Sequence, residues 1–355
     1  MMITWVARLD RVARSILTLA LAASVACRAS PPTRVATSAP GGGGAAGPAE
    51  SDQAPRAIVI AGAPETAIFE AQQRRKALDD RIFTELLGGE MLVSKESYAA
   101  DDGLRIPVYV FAPNEPGSYP VVLLVHGGVH GDFGAGHAAV VRALVAEGYV
   151  VAAPEYRGST GYGKAHYDAI DYGGLEVEDV ISARDHLGRT LPIADTSRVL
   201  IMGWSHGGFI ALHAVLRRPD LFRAAVAHVP VADLLVRMRM HDGRYREIFA
   251  AQRGFGGTVE ENPAAYIERS PMAHARRLTR PVLVHTADND DDVFIEENHS
   301  LRDSMAVAGM IDNGLYTYRE YASPPGGHSF QWVDSWQARE SWAETKAFIR
   351  QHLRK

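Results

Sequence analysis

The sequence predicts an α/β fold, a mostly parallel, doubly wound sheet with helices on both faces. Three observations predict it. Short, nearly continuous apolar runs recur at 121–125, 149–153, 198–202, 224–229 and 281–285, the pattern of strands covered on both faces. Segments of helical spacing alternate with them at 138–147, 175–187 and 209–217, as in a βαβα chain. The glycine-rich and acidic loops come directly after the apolar runs, at the carboxyl edge where open sheets place their sites. The chain has 355 residues, 46% hydrophobic and 22% charged, which suits one large globular domain or two small ones. Its net charge of -5 and lack of a basic stripe argue against a nucleic-acid partner.

Residues 1–27 read as an export signal. Arg8, Arg11 and Arg14 precede the apolar run 16–26, which ends in small residues and is too short for a membrane span. Ser24-Val25-Ala26 suits an ordinary signal-peptidase site. Cys27, the single cysteine, stands directly after it, where a bacterial lipoprotein would be acylated, although Ser24 stands where that pattern prefers leucine. Two expectations stay open: a periplasmic lipoprotein tethered to the membrane through Cys27, and a plain secreted protein. One cysteine excludes an intramolecular disulfide and a cysteine-based metal or thiol site. Residues 28–60, with Pro31, Pro32, Pro40 and four consecutive glycines at 41–44, have no apolar periodicity and read as a disordered Gly/Pro/Ala linker.

Residues 61–90 read as a helical segment, a cap or brace across the main domain. Ile68, Phe69, Leu78, Ile82, Phe83 and Leu86 fall on one side, Pro64 sits in the first turn and Gly88-Gly89 stops it. The main domain, 91–355, opens with strands at 94–99 and 104–112 about Asp101-Asp102-Gly103, which is hairpin chemistry. Pro107 predicts an edge position for the second strand.

The chain is organised around Gly203-Trp204-Ser205-His206-Gly207-Gly208, between the strand at 198–202 and a helix. Gly-x-Ser-x-Gly in that context is the nucleophile elbow of an α/β hydrolase, which makes Ser205 the candidate nucleophile. The loop His126-Gly127-Gly128 after an earlier strand is placed to supply an oxyanion donor, the Gly128 amide, beside the His206 amide. His126 and His130 are read as structural. The loop after 281–285 carries Asp288, Asp290, Asp291 and Asp292, without the spacing of a calcium-binding EF-hand. A triad acid at the end of a late strand accounts for one of them, with Asp290 preferred over Asp288 and Asp292. His328 lies in a glycine- and proline-rich loop between the strand at 316–321 and the helix at 336–353. Serine, acid and histidine thus fall in α/β-hydrolase order, each after an expected strand. Residues 232–266 read as helices and loops overhanging the sheet edge, with two readings open: a place where substrate shape is sensed, and a surface insertion with no role in selection. No cofactor and no metal is called for.

Several stretches together resemble the catalytic domain of the prolyl oligopeptidase family, which includes dipeptidyl-peptidase and acylaminoacyl-peptidase types. They are the His126-Gly127-Gly128 loop, Tyr156-Arg157-Gly158-Ser159-Thr160-Gly161-Tyr162-Gly163, the GWSHGG elbow, Ser270-Pro271-Met272, Asn289-Asp290-Asp291-Asp292-Val293 and Gly327-His328-Ser329. The resemblance runs from about Ser94 onward. It implies a serine peptidase acting on a small peptide, with Tyr156, Arg157 and Trp204 near the substrate pocket. Two departures stand out. Family members commonly carry a β-propeller before this domain, and the stretch of about 65 residues between linker and HGG loop is too short for two blades. Some members use a tyrosine hydroxyl in the oxyanion hole, where this chain has His126. The reading is two-step acyl transfer to water by a serine peptidase; the alternatives are a carboxylesterase acting on small acyl esters or acylated sugars, and an inactive hydrolase fold kept for binding.

Overall fold

A computed structural model describes residues 65–353. The expected export signal, Cys27 and the linker at 28–60 lie outside the described residues. One sheet contains eight strands: β1 (Leu92–Ala99), β2 (Arg105–Ala112), β3 (Tyr119–Val125), β4 (Val150–Pro154), β5 (Ala194–Trp204), β6 (Ala224–His228), β7 (Val282–Ala287) and β8 (Tyr316–Tyr321). Their order is β1-β2-β4-β3-β5-β6-β7-β8. The pairs β1/β2 and β2/β4 are antiparallel, and from β4 to β8 every pair is parallel.

Among the described residues the helices are α1 (Glu65–Leu87), α2 (Ala138–Ala146), α3 (Lys164–Asp168), α4 (Leu175–Thr190), α5 (His206–Arg217), α6 (Leu234–Met240), α7 (Gly243–Ala250), α8 (Pro263–Glu268), α9 (Ile295–Val307) and α10 (Trp336–Leu353). Side chains alternate across a strand, and the central strands show it. Val122, Leu124, Leu200 and Met202 pack with Phe83 of α1, Val141 of α2 and Ile349 of α10. Val121, Leu123, Val199 and Ile201 pack with Val180 of α4 and Ile210 of α5 on the other face. Each fully buried aliphatic side chain is worth about 1.5–3 kcal/mol, so the strand ends carrying the site are rigidly placed.

Two expectations change. In α1 the buried residues are Lys76, Phe83 and Leu87, a stripe with steps of seven and four residues, and Phe83 packs on Tyr109, Phe111 and Phe133. Leu78 and Leu86, expected on the covered side, are exposed. Pro107 is not on an edge strand, because β2 lies between β1 and β4. Its carbonyl accepts the Glu155 N–H at 2.8 Å just past the end of β4. The N–H that proline lacks would point the same way, so no ladder bond inside β4 is lost. The Glu155 carbonyl is met by His166 Nε2 at 3.1 Å. The stretch at 232–266 folds into the helices α6, α7 and α8 with an irregular stretch at 251–262, as the helices and loops expected there.

Candidate active site

β5 ends at Trp204 and α5 begins at His206, so Ser205 alone carries the turn. Its φ of 54° and ψ of −119° are costly for a residue with a side chain, by about 1–3 kcal/mol. Burial of β5 and α5 offsets that strain. The Ser205 N–H donates to the His228 carbonyl at 2.8 Å, tying the turn to the end of β6. A Cβ on Gly203 would stand 2.4 Å from the Gly207 backbone, and one on Gly207 would stand 2.3 Å from the Val125 oxygen. Glycine at both places lets the elbow nest against the end of β3. The first helical bond of α5 runs from the Phe209 N–H to the Ser205 carbonyl at 2.9 Å, which leaves the His206 amide at the open end of the helix.

The loop after β3 runs beside the serine, since a Cβ on Gly127 would lie 3.4 Å from Ser205 Cβ. The Tyr156 hydroxyl donates to the Gly128 carbonyl at 2.7 Å, and its ring stacks on His126 with centroids 4.3 Å apart. His126 Nδ1 lies 3.0 Å from the Gly127 oxygen and Nε2 lies 2.9 Å from Ser159 Oγ. The two expected oxyanion donors, the amides of Gly128 and His206, therefore belong to the two backbone segments that flank Ser205.

The acid and the histidine meet on the loops after β7 and β8. Asp290 is buried, and its Oδ1 accepts the N–H groups of Asp292 and Val293 at 3.0 and 2.8 Å. His328 Nδ1 lies 2.9 and 2.8 Å from the two Asp290 oxygens. His328 sits in a short 3-10 helix, Gly327–Trp332. Gly327 has φ of 48°, and a Cβ there would come within 2.8 Å of the Asn289 carbonyl, so the histidine turn packs directly on the acid loop. Gln331 of that turn reaches the His228 ring, with Nε2 2.6 Å from Nδ1. The turn thus touches the strand to which Ser205 is bonded.

The neighbouring carboxylates differ. Asp288 is exposed and accepts the Ser323 N–H. Asp292 is half-buried, with one oxygen 3.4 Å from His328 Nε2 and the other 3.4 Å from an Arg237 nitrogen. Burial pulls the His328 imidazole pKa down, but the hydrogen bond to Asp290 and the charges of Asp290 and Asp292 outweigh it and raise it above the ordinary value. Burial also pushes Asp292 up, yet Arg237, His328 and His241 hold it below the usual carboxylate value.

The structure corrects the expected pocket residues. Tyr156 is fully buried with its hydroxyl committed to the Gly128 carbonyl. Arg157 is fastened by Asp179 at 2.8 Å and by Asp102 at 2.8 and 3.1 Å. Both hold the scaffold, since burying a guanidinium requires such pairing. Trp204 is 6% exposed and sits among His228 and Trp332, with ring centroids 5.1 Å away in each case. His126 and His130 are structural: His130 Nδ1 lies 2.9 Å from the Gly158 oxygen and its ring stacks on Tyr167 at 3.6 Å. Among the described residues no group of three or more metal-ligating side chains exists.

The sequence reading missed Arg237, Glu297, Lys76 and Glu155. Arg237 is buried and reaches the Asp292 carbonyl at 3.1 Å, Glu297 at 2.9 Å and the Tyr245 hydroxyl at 2.6 Å. Burial raises Glu297 to about 7 despite Arg237. The available signal was a charge inside an apolar pattern: Arg237 within LLVRMRM, and Lys76 one heptad before Phe83.

A strained serine between a parallel strand and a helix, with a histidine–aspartate pair on later loops of the same sheet, defines an α/β hydrolase. Residues 137–355 match the model of the prolyl oligopeptidase family. The chain belongs to that family. It is 29% identical over 209 residues to a Bacillus subtilis peptidase, YuxL, covering 58% of this chain and 31% of that one. It is 32% identical over 233 residues to human dipeptidyl peptidase 8, covering 61% and 24%. A solved puromycin-hydrolyzing peptidase of Mycobacterium tuberculosis superposes with a TM-score of 0.60 at 28% identity, over 74% of this chain and 39% of the other. The chain spans about a third or less of the length of the curated relatives it matches.

Proposed function

We propose that the protein is a serine-type peptidase that cleaves peptide or acyl-amide bonds through an acyl-enzyme intermediate. The observation that carries this reading is the pairing of His328 Nδ1 with the buried Asp290 carboxylate, on loops at the sheet edge that also carries the strained Ser205 elbow. His328 takes the Ser205 proton as the hydroxyl attacks the scissile carbonyl, then returns it to the leaving amine. Asp290 fixes the tautomer with the proton on Nδ1 and stabilises the imidazolium. The amides of His206 and Gly128 receive the negative oxygen, each such donor being worth about 3 kcal/mol of transition-state stabilisation. Water then releases the acyl group by the same steps.

S205A is expected to abolish hydrolysis of p-nitrophenyl acetate and labelling by a fluorophosphonate while its thermal unfolding stays near that of the wild type. Turnover retained by clean S205A protein rejects the mechanism. The same parts would serve an esterase, and turnover of an acylaminoacyl anilide against a short-chain ester separates the two, because an amine leaves only when protonated.

A further inference from the structure

We propose that Lys76 of the N-terminal helix is a positioning residue for the oxyanion loop, acting through Glu155 and His126 on the peptide between Gly127 and Gly128. This inference rests on the function proposed above. Lys76 is 2% exposed although it comes from a helix on the outside of the sheet. Its Nζ donates to the Phe133 carbonyl at 2.7 Å, faces Asp132 at 3.3 Å and forms an ion pair with Glu155. Glu155 is fully buried directly after β4. The oxygen paired with Lys76 also accepts the Phe133 N–H at 3.2 Å, and the other lies 3.4 Å from His126 Nε2.

His126 carries the contact onward. Ser159 Oγ donates its proton to the Tyr156 carbonyl at 2.6 Å, so at 2.9 Å it accepts from His126 Nε2. On the other side of the ring Nδ1 meets the Gly127 carbonyl at 3.0 Å. The ring thus bridges the Gly127 carbonyl and Ser159, with the Glu155 carboxylate 3.4 Å from Nε2. In a trans peptide the C=O and N–H point in opposite directions. Holding the Gly127 oxygen thus fixes the direction of the Gly128 N–H, the expected oxyanion donor. Tyr156 holds the next carbonyl, that of Gly128, at 2.7 Å.

Lys76 sits at the head of this series. Burial pushes the Glu155 carboxyl up, but the charges of Lys76 and His126 and their hydrogen bonds hold it well below the usual carboxylate range. Without the ammonium, a fully buried carboxylate loses its main partner, and such groups reorganise or neutralise. Asp132 and Arg75 pair at the rim of the same cluster. The Lys76 stem packs against Gly161, where a Cβ would come within 2.8 Å of Lys76 Cβ. Helix α1, β1 to β3 and the HGG loop all lie outside the residues that match the family model.

The test compares wild type, K76M, E155Q and the K76M/E155Q double variant on p-nitrophenyl acetate, with phenylboronic acid as a tetrahedral, oxyanion-bearing inhibitor. K76M is expected to lower kcat about tenfold with KM within about twofold, and to weaken phenylboronic acid by the same factor. The double variant is expected to lose no more activity than the weaker of the two single variants, because both changes break the same series. If K76M does not fold, E155Q gives the same reading, as it keeps the shape and removes the charge. An unchanged kcat in K76M or E155Q, a loss in which the inhibitor affinity does not share, or additive losses in the double variant overturns the proposal. A wild type with no turnover overturns the proposed function and this inference with it. A wild type with turnover beside an unaltered K76M overturns this inference alone.

Discussion

Two loops at the carboxyl edge of the sheet serve the same proposed reaction and are built in opposite ways. The acid loop holds Asp290 with its own backbone, through the amides two and three residues onward. Its partner His328 arrives on a turn whose glycine backbone packs against it. The oxyanion loop is held by side chains from far along the chain: Tyr156, Ser159, Glu155 and, behind them, Lys76. The difference teaches where each half of the site is vulnerable. Asp290 is fixed by amides of its own loop, with Arg237 reaching the Asp292 carbonyl at 3.1 Å, whereas the oxyanion loop is open to damage from helix α1 on the outside of the sheet.

The sharpest break in the comparison is D290N. The amide keeps the shape and still accepts the Asp292 and Val293 amides, so the loop stays in place and the melting temperature is expected to change little. The proton on His328 loses its acceptor pair and the imidazolium its counter-charge, and kcat/KM is expected to fall by about 10³–10⁴. A loss of only a few fold, measured on the same ester, would move the triad acid elsewhere.

D292N comes next, with a smaller effect of a different kind. General-base attack needs neutral His328, so kcat/KM falls as pH drops through the pKa of that imidazole. That pKa is raised, with the Asp292 charge among the causes, so the acidic limb of the profile is expected above the ordinary histidine value. Removing the negative charge beside Nε2 lowers the pKa. The limb of D292N therefore moves to lower pH, and the variant keeps more of its maximal activity than wild type under acidic conditions. A pH–rate profile with the limb unmoved, or moved upward, shows that Asp292 does not act on the histidine.

The contrast between the loops also separates what the sequence discloses from what only the fold reveals. The elbow, the strand-ending acid and the glycine-set histidine are short-range patterns, since each depends on residues within a few positions and each falls after an apolar run. The strand and helix alternation is legible for the same reason, with boundaries moved by a few residues, as in β5, which runs from Ala194 rather than 198. Arg237 and Lys76 were missed because a charge in a helix looks like a solvated face until a partner from another element is known. Leu78 and Leu86 misled in the converse way: they fit the spacing of an apolar stripe, but the helix turns Lys76, Phe83 and Leu87 inward. Tyr156 and Arg157 lie in the motif that resembles the family, and the motif does not say whether its side chains face substrate or scaffold. Burial decides that, and for Arg157 the partners that permit it are Asp179 and Asp102, 22 and 55 residues away.

The smallest effect belongs to D288N, and it bears on the comparison through its size. Asp288 is one of the four aspartates that the sequence leaves nearly indistinguishable, two residues before Asp290. Its side chain turns outward to the Ser323 amide, and its own N–H donates to the Tyr321 carbonyl at 3.1 Å, a bond the substitution leaves intact. An exposed carboxylate in such a contact contributes about 1 kcal/mol or less. D288N is therefore expected to keep kcat/KM within about twofold of wild type and to lower the melting temperature by about 3 °C at most. Measured beside D290N on the same substrate, a loss of similar size in both would mean that the loop, and not one carboxylate within it, carries the effect. The acid loop would then depend on its surroundings as the oxyanion loop does, and the distinction between the two would fail.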